Sequence, residues 1–115
     1  MRRRPVSVIE LAGFRRRAAD LLTAEEQEAL IELVAYEPTC GDLIPGTGGL
    51  RKVRLCRKGI GKRGGARVIY YFHDVHVPIL LLAIYAKNEK DDLSAAEKKE
   101  FARLVKEIVA QWKRK

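Results

Sequence analysis

Cysteine and histidine are scarce: the 115 residues hold two of each. Cys40 and Cys56 lack metal-ligand spacing and have no histidine beside them, so free thiols in a reducing compartment are expected. Cys56 falls in a predicted strand, where packing is its simplest role. No His/Cys/carboxylate cluster has metal spacing, and neither a Walker A sequence nor a nucleophile elbow is present. No cofactor is expected. Long apolar runs are also missing. The longest, Val77 to Ala86, is well short of the roughly 20 residues a membrane helix needs. The start, Met1-Arg2-Arg3-Arg4-Pro5, is basic, but no signal-peptide core or cleavage site follows, and a cytoplasmic protein is expected. The most informative absence is acid: from Ile44 to His73 there is none.

That acid-free stretch carries eight bases, Arg51, Lys52, Arg54, Arg57, Lys58, Lys62, Arg63 and Arg67. In the rest of the chain acids and bases cancel, so the net charge of +8 resides in one central segment. A local basic block on a folded domain points to a polyanion, most simply nucleic acid, against the plainer reading of a solvated face. The length fits one domain over residues 1–115. An apolar content of 47% is that of a globular protein. A chain of this size can bury a core without disulfides or metals.

The pattern predicts the order β-α-α-β-β-β-α, an α+β fold with a small antiparallel sheet packed by helices. Val6 to Leu11 alternates as a first strand. Phe14 to Leu22 reads as a short basic helix. Thr23 to Glu26 forms a capping box, and the helix it opens places Ala29, Leu30, Leu33, Val34 and Tyr36 on one side until Pro38 stops it. Pro45 to Gly49 is a loop. Strand two, Leu50 to Cys56, sends Lys52 and Arg54 to one face and Arg51, Val53 and Leu55 to the other. Arg57 to Gly65 is a turn, and strand three runs from Ala66 to His73. Strand four, Pro78 to Ala86, is apolar on both faces and therefore central. A second capping box, Ser94 to Glu97, opens a last helix with Phe101, Leu104, Val105, Ile108 and Trp112 in one stripe.

Gly59-Ile60-Gly61-Lys62-Arg63-Gly64 matches the dinucleotide fingerprint in letters only. That motif needs a helix next, to aim its N-terminus at the pyrophosphate, and here a strand follows. His73 and His76 flank Asp74-Val75 and read as surface turn residues rather than as a nuclease pair. The basic face is the better candidate. Lys52 and Arg54 project together, Arg67 meets them across the hairpin, and Lys87 follows strand four. Four convergent cations repel one another unless a phosphate sits among them, and the repulsion would lower a lysine pKa.

At these residues the sequence resembles the RelE/ParE superfamily of toxins from type II toxin–antitoxin modules, most closely the HigB-like branch. The resemblance runs over nearly the whole chain. It is sharpest at Gly46 to Arg54, at Gly61 to Tyr71, and at Tyr85 to Glu89 with Asp92-Leu93. It implies the RelE-like microbial RNase toxin fold and ribosome-dependent cleavage of mRNA in the A site, without metal. Lys52-Val53-Arg54 matches the family's basic-x-basic pair, Arg67 its arginine opening the third strand, and Lys87 with Asn88 its groups after the fourth. Several members carry a late tyrosine or histidine; this chain has no tyrosine after Tyr85 and no histidine after His76. The implied reaction is attack of the RNA 2′-OH on the adjacent phosphorus. Arg67 would grip the phosphate, Arg54 share the developing charge, Lys52 accept the proton, and Lys87 or Tyr85 protonate the leaving oxygen. Arg51, Arg57, Lys58, Lys62, Arg63 and Asn88 would contact rRNA or mRNA. A cognate antitoxin is implied, expected to be a helix-turn-helix DNA-binding protein. Two rivals stand beside this reading: a ParE-like gyrase inhibitor of the same fold, and a non-enzymatic nucleic-acid-binding module.

Overall fold

The computed structural model describes residues 4–55, 65–87, 89 and 92–114. Arg57, Lys58, Lys62, Arg63, Asn88, Cys56 and the glycine motif at 59–64 lie outside the described residues. The elements are β1 (Val8–Glu10), α1 (Ala12–Leu21), α2 (Ala24–Tyr36), β2 (Asp42–Leu43), β3 (Leu50–Leu55), β4 (Ala66–Tyr71), β5 (Ile79–Ala86) and α3 (Ala95–Lys113). They form an α+β fold around one five-stranded sheet of order β1-β5-β4-β3-β2. Two details go beyond the sequence pattern. The short β2 adds an edge strand beside β3, with Asp42 opposite Lys52. And β1 pairs with β5 in parallel, which makes the sheet mixed. Two helices lie between β1 and the rest of the sheet, which gives the chain room to return in the same direction.

Both helix starts follow from local chemistry. Thr23 Oγ1 accepts from the Glu26 amide at 3.0 Å, and Glu26 reaches back to the Thr23 amide at 2.8 Å. Ser94 and Glu97 repeat the arrangement at 3.1 and 2.8 Å. Each pair satisfies two of the four N–H groups that a helix start leaves open. Ser94→Ala is expected to cost about 1 kcal/mol, and urea denaturation of the variant measures it. A null result there would mean α3 is held by packing alone.

The sheet is covered on both sides. On one side Phe14 and Ala18 of α1 and Leu30 and Val34 of α2 pack on Val68, Tyr70, Ile79, Leu81 and Ile84. On the other, Val105 of α3, with Phe101 and Ile108 packed beside it, meets Leu50, Ile69, Leu80, Leu82 and Tyr85. Burial on both faces explains why β5 is apolar throughout. The predicted α3 stripe is wider than what the sheet covers: Leu104 and Trp112 are each 38% exposed. On α2, Ala29 and Tyr36 likewise face outward, and Ala35 is buried instead.

Between β4 and β5 the register slips. Ile69 lies opposite Ala83, but Tyr70 lies opposite Leu81, which leaves Leu82 as an extra residue in β5. Such a bulge reverses the phase of the pleat. Before it, odd-numbered β5 residues face α1 and α2; after it, Tyr85 faces α3. The bulge therefore puts Tyr85 on the same face as Lys52, Arg54 and Arg67.

Candidate functional site

The strand register builds the site. Lys52 lies opposite Ile69, Arg54 opposite Arg67, and Arg67 opposite Tyr85 on its other flank. Lys52, Arg54 and Arg67 thus share the α3 side of the sheet, as the alternation predicts. Directly opposed residues have Cβ atoms about 5 Å apart, and like charges so placed destabilise a sheet. Arg54 and Arg67 are such a pair. Arg67 is only partly exposed, and its Nε is buried with no hydrogen-bond partner among the described residues. A buried donor left unpaired costs about 1–3 kcal/mol, and more when it is charged. Two adverse terms thus meet at one position.

Lys52 has a partner. Its Nζ lies 3.5 Å from Asp92 Oδ1, and Lys98 Nζ approaches Asp92 Oδ2 at 3.9 Å. Partial burial works to raise the Asp92 pKa, but the Leu93 amide and the two lysines together hold it below the ordinary carboxylate value. The second capping box sets where α3 begins, and so sets Lys98 beside this carboxylate. Asp92 and Lys98 were not legible as site residues, because nothing in their spacing relates them to β3.

Lys87 follows β5 at the same end of the sheet. Its amide donates to Gly65 O at 3.1 Å. A Cβ on Gly65 would sit 3.8 Å from Lys87 Cβ and 3.9 Å from its Cδ. The lysine stem therefore runs past a residue without a side chain, one step before β4 and two before Arg67. Tyr85 is 5% exposed and its hydroxyl is buried. Behind it, a cleft of about 380 Å³ opens between Arg17 of α1 and Phe101 of α3.

Arg51 stands apart from this group. It lies on the α1/α2 side, opposite Tyr70. Its Nη1 donates to Gly41 O at 2.7 Å and reaches toward Thr39 O at 3.4 Å. The Tyr70 hydroxyl accepts from the Gly41 amide and donates to Pro38 O, both at 2.8 Å. Burial pushes the Tyr70 phenol well above its ordinary pKa, so it remains a donor. Together Arg51 and Tyr70 fasten the loop between α2 and β2.

The histidines are remote from the cations. Both lie beyond the far end of β4, about 13 Å or more from Arg67 along the strand. His73 Nδ1 is 3.2 Å from the Tyr71 hydroxyl and its Nε2 3.5 Å from Asp74 Oδ2; the His76 amide donates to Asp74 Oδ1 at 2.8 Å. They are turn residues, as read from the sequence. Cys40 is exposed, with its sulfur 3.7 Å from the Tyr70 hydroxyl. Among the described residues no three His, Cys, Asp or Glu side chains group to hold a metal, and no helix is long and apolar enough to cross a membrane.

The face can hold a phosphodiester. A guanidinium fork offers two parallel N–H groups to phosphoryl oxygens, with Lys52 on the neighbouring strand and Lys87 just past the end of β5. A family model described as the RelE toxin of the RelE/RelB toxin–antitoxin system matches residues 41–115, the segment that carries every one of these side chains.

Proposed function

The chain belongs to the RelE toxin family of toxin–antitoxin systems, and from that premise we propose that its cationic sheet face cuts mRNA on the ribosome. RelE toxins are generally endoribonucleases, and the family brings with it a cognate antitoxin. The observation that carries the reading is Arg54 directly opposite Arg67 on the strand face that also carries Lys52. Like charges so placed repel, and a phosphate between them relieves the repulsion.

In this reaction the RNA 2′-oxygen attacks the adjacent phosphorus in line. The bond from phosphorus to the 5′-oxygen breaks, leaving a 2′,3′-cyclic phosphate and a 5′-OH. The nucleophile belongs to the substrate, so the protein must orient it and stabilise the added charge of the phosphorane. Arg67 holds two phosphoryl oxygens and Arg54 shares the developing charge. Lys52, as the neutral amine, accepts the 2′-OH proton, and the ammonium so formed is met by Asp92, which Lys98 also contacts. Lys87, exposed at the strand end, returns a proton to the leaving oxygen. The buried Tyr85 flanks Arg67 and orients it. Arg57, Lys58, Lys62, Arg63 and Asn88 are assigned to rRNA or mRNA backbone, which gives binding a steep salt dependence. Within the family we place the chain in the HigB-like branch, with a helix-turn-helix antitoxin and a cytoplasmic site of action.

The deciding experiment adds purified protein to a cell-free translation reaction with one defined mRNA and maps breaks by primer extension. Breaks inside codons, dependent on ribosomes, are expected. An intact message removes the nuclease reading and makes gyrase supercoiling the next assay. Lys52→Arg refines the result. Arginine supplies a permanent cation that does not accept a proton. Single-turnover cleavage is expected to fall about 10²-fold or more, with ribosome binding retained. An undiminished rate would reassign Lys52 to charge alone.

A further inference from the structure

One ion pair reaches from α1 to the turn after β5, beside the site. Arg17, on α1, donates from Nη2 to Glu89 Oε1 at 2.6 Å, across 72 positions of sequence. The same carboxylate oxygen accepts the Ala86 amide at 2.7 Å, and the Glu89 amide donates to Ala86 O at 3.0 Å. Glu89 thus closes the turn after β5 from its side chain and its backbone together. Lys87 lies inside that turn, and its own amide is bonded to Gly65 beside β4.

We propose that Arg17 is a positioning residue for the cationic site: it holds Glu89 onto the Ala86 amide and so fixes Lys87 relative to Arg67. The inference rests on the reading above, in which Lys87 serves the leaving oxygen. The geometry separates this role from stability. The two side chains are 42% and 46% exposed, and pairs so open to water contribute about 0–1 kcal/mol. Loss of the guanidinium therefore leaves the fold intact. It does remove one of the contacts that aim the carboxylate at the Ala86 amide, and that hydrogen bond weakens. The turn loosens where the proton donor must be held to within a fraction of an ångström.

Arg17→Ala and Arg17→Lys are compared with the parent in single-turnover cleavage over a range of ribosome concentrations. Exchange of the Ala86 amide is followed by NMR. Arg17→Ala is expected to lower the limiting rate about tenfold and to speed Ala86 exchange. The half-saturating ribosome concentration and the melting temperature stay as in the parent. Arg17→Lys restores most of the rate. Glu89→Gln lowers the rate similarly, and combining it with Arg17→Ala adds little, because both remove one linkage. A half-saturation shift that accounts for the whole loss would overturn the proposal and make Arg17 an RNA contact. An unchanged rate with unchanged Ala86 exchange would overturn it as well. If the parent itself cuts no message, the nuclease reading falls; Ala86 exchange still decides whether Arg17 holds the turn, and unaltered exchange refutes the tether.

Discussion

Arg67→Ala is expected to lower the limiting rate of mRNA cleavage by about 10²- to 10³-fold, the usual loss when one preorganised donor to a developing oxyanion is removed. The protein should fold as before. Arg67 lies opposite Arg54 and its Nε is buried without a partner among the described residues, so truncation removes a like-charge opposition and an unsatisfied donor at once. The melting temperature is expected to hold or to rise slightly, despite the loss of the packed stem. Arg67→Lys should recover little activity, because an ammonium has no planar fork for two phosphoryl oxygens. Single-turnover kinetics, thermal denaturation and co-sedimentation with ribosomes read the three effects separately. Loss of ribosome binding in parallel with cleavage would make Arg67 a general nucleic-acid contact and favour the non-enzymatic module.

The largest stability effect is expected far from the phosphate, at Gly41. A Cβ there would stand 2.8 Å from Tyr70 Cε1 and 2.9 Å from Lys52 O. Neither neighbour can yield easily. Tyr70 is fully buried and its hydroxyl is fixed by Gly41 and Pro38, and Lys52 O belongs to the backbone of β3. Gly41→Ala should therefore cost about 1–3 kcal/mol, a fall of roughly 4–12 °C in melting temperature. Tyr70→Phe probes the same joint from the other side. It leaves the Gly41 amide and Pro38 carbonyl without their shared partner, at about 1–3 kcal/mol. Since both changes break one contact set, their sum should exceed the cost of the double variant. Wild-type stability in Gly41→Ala would mean that the loop between α2 and β2 can move off the sheet at no cost.

Much of the frame is visible in the residues themselves. The two capping boxes fix where α2 and α3 begin, since a hydroxyl and a carboxylate at that spacing satisfy local amides whatever lies elsewhere. The alternation in Leu50 to Leu55 puts Lys52 and Arg54 together because a strand has a period of two. The apolar run in β5 signals a strand buried on both faces. What the pattern misses is set between segments distant in sequence. The parallel pairing of β1 and the short β2 depend on where neighbouring strands come to rest. The exposure of Leu104 and Trp112 depends on how far α3 overhangs the sheet.

The sequence by itself determined that Lys52 and Arg54 share one strand face. Local periodicity and side-chain chemistry suffice for that. Tertiary structure decided which groups meet those cations. The bulge at Leu82 turns Tyr85 to their side, the start of α3 brings Asp92 and Lys98 to Lys52, and α1 sends Arg17 to Glu89. Arg51, which the alternation already placed on the opposite face, is fastened there to the loop that ends at Gly41. The Lys52–Asp92, Arg67–Tyr85 and Arg17–Glu89 pairs join segments far apart in the chain, with geometry set by packing and register rather than by any spacing.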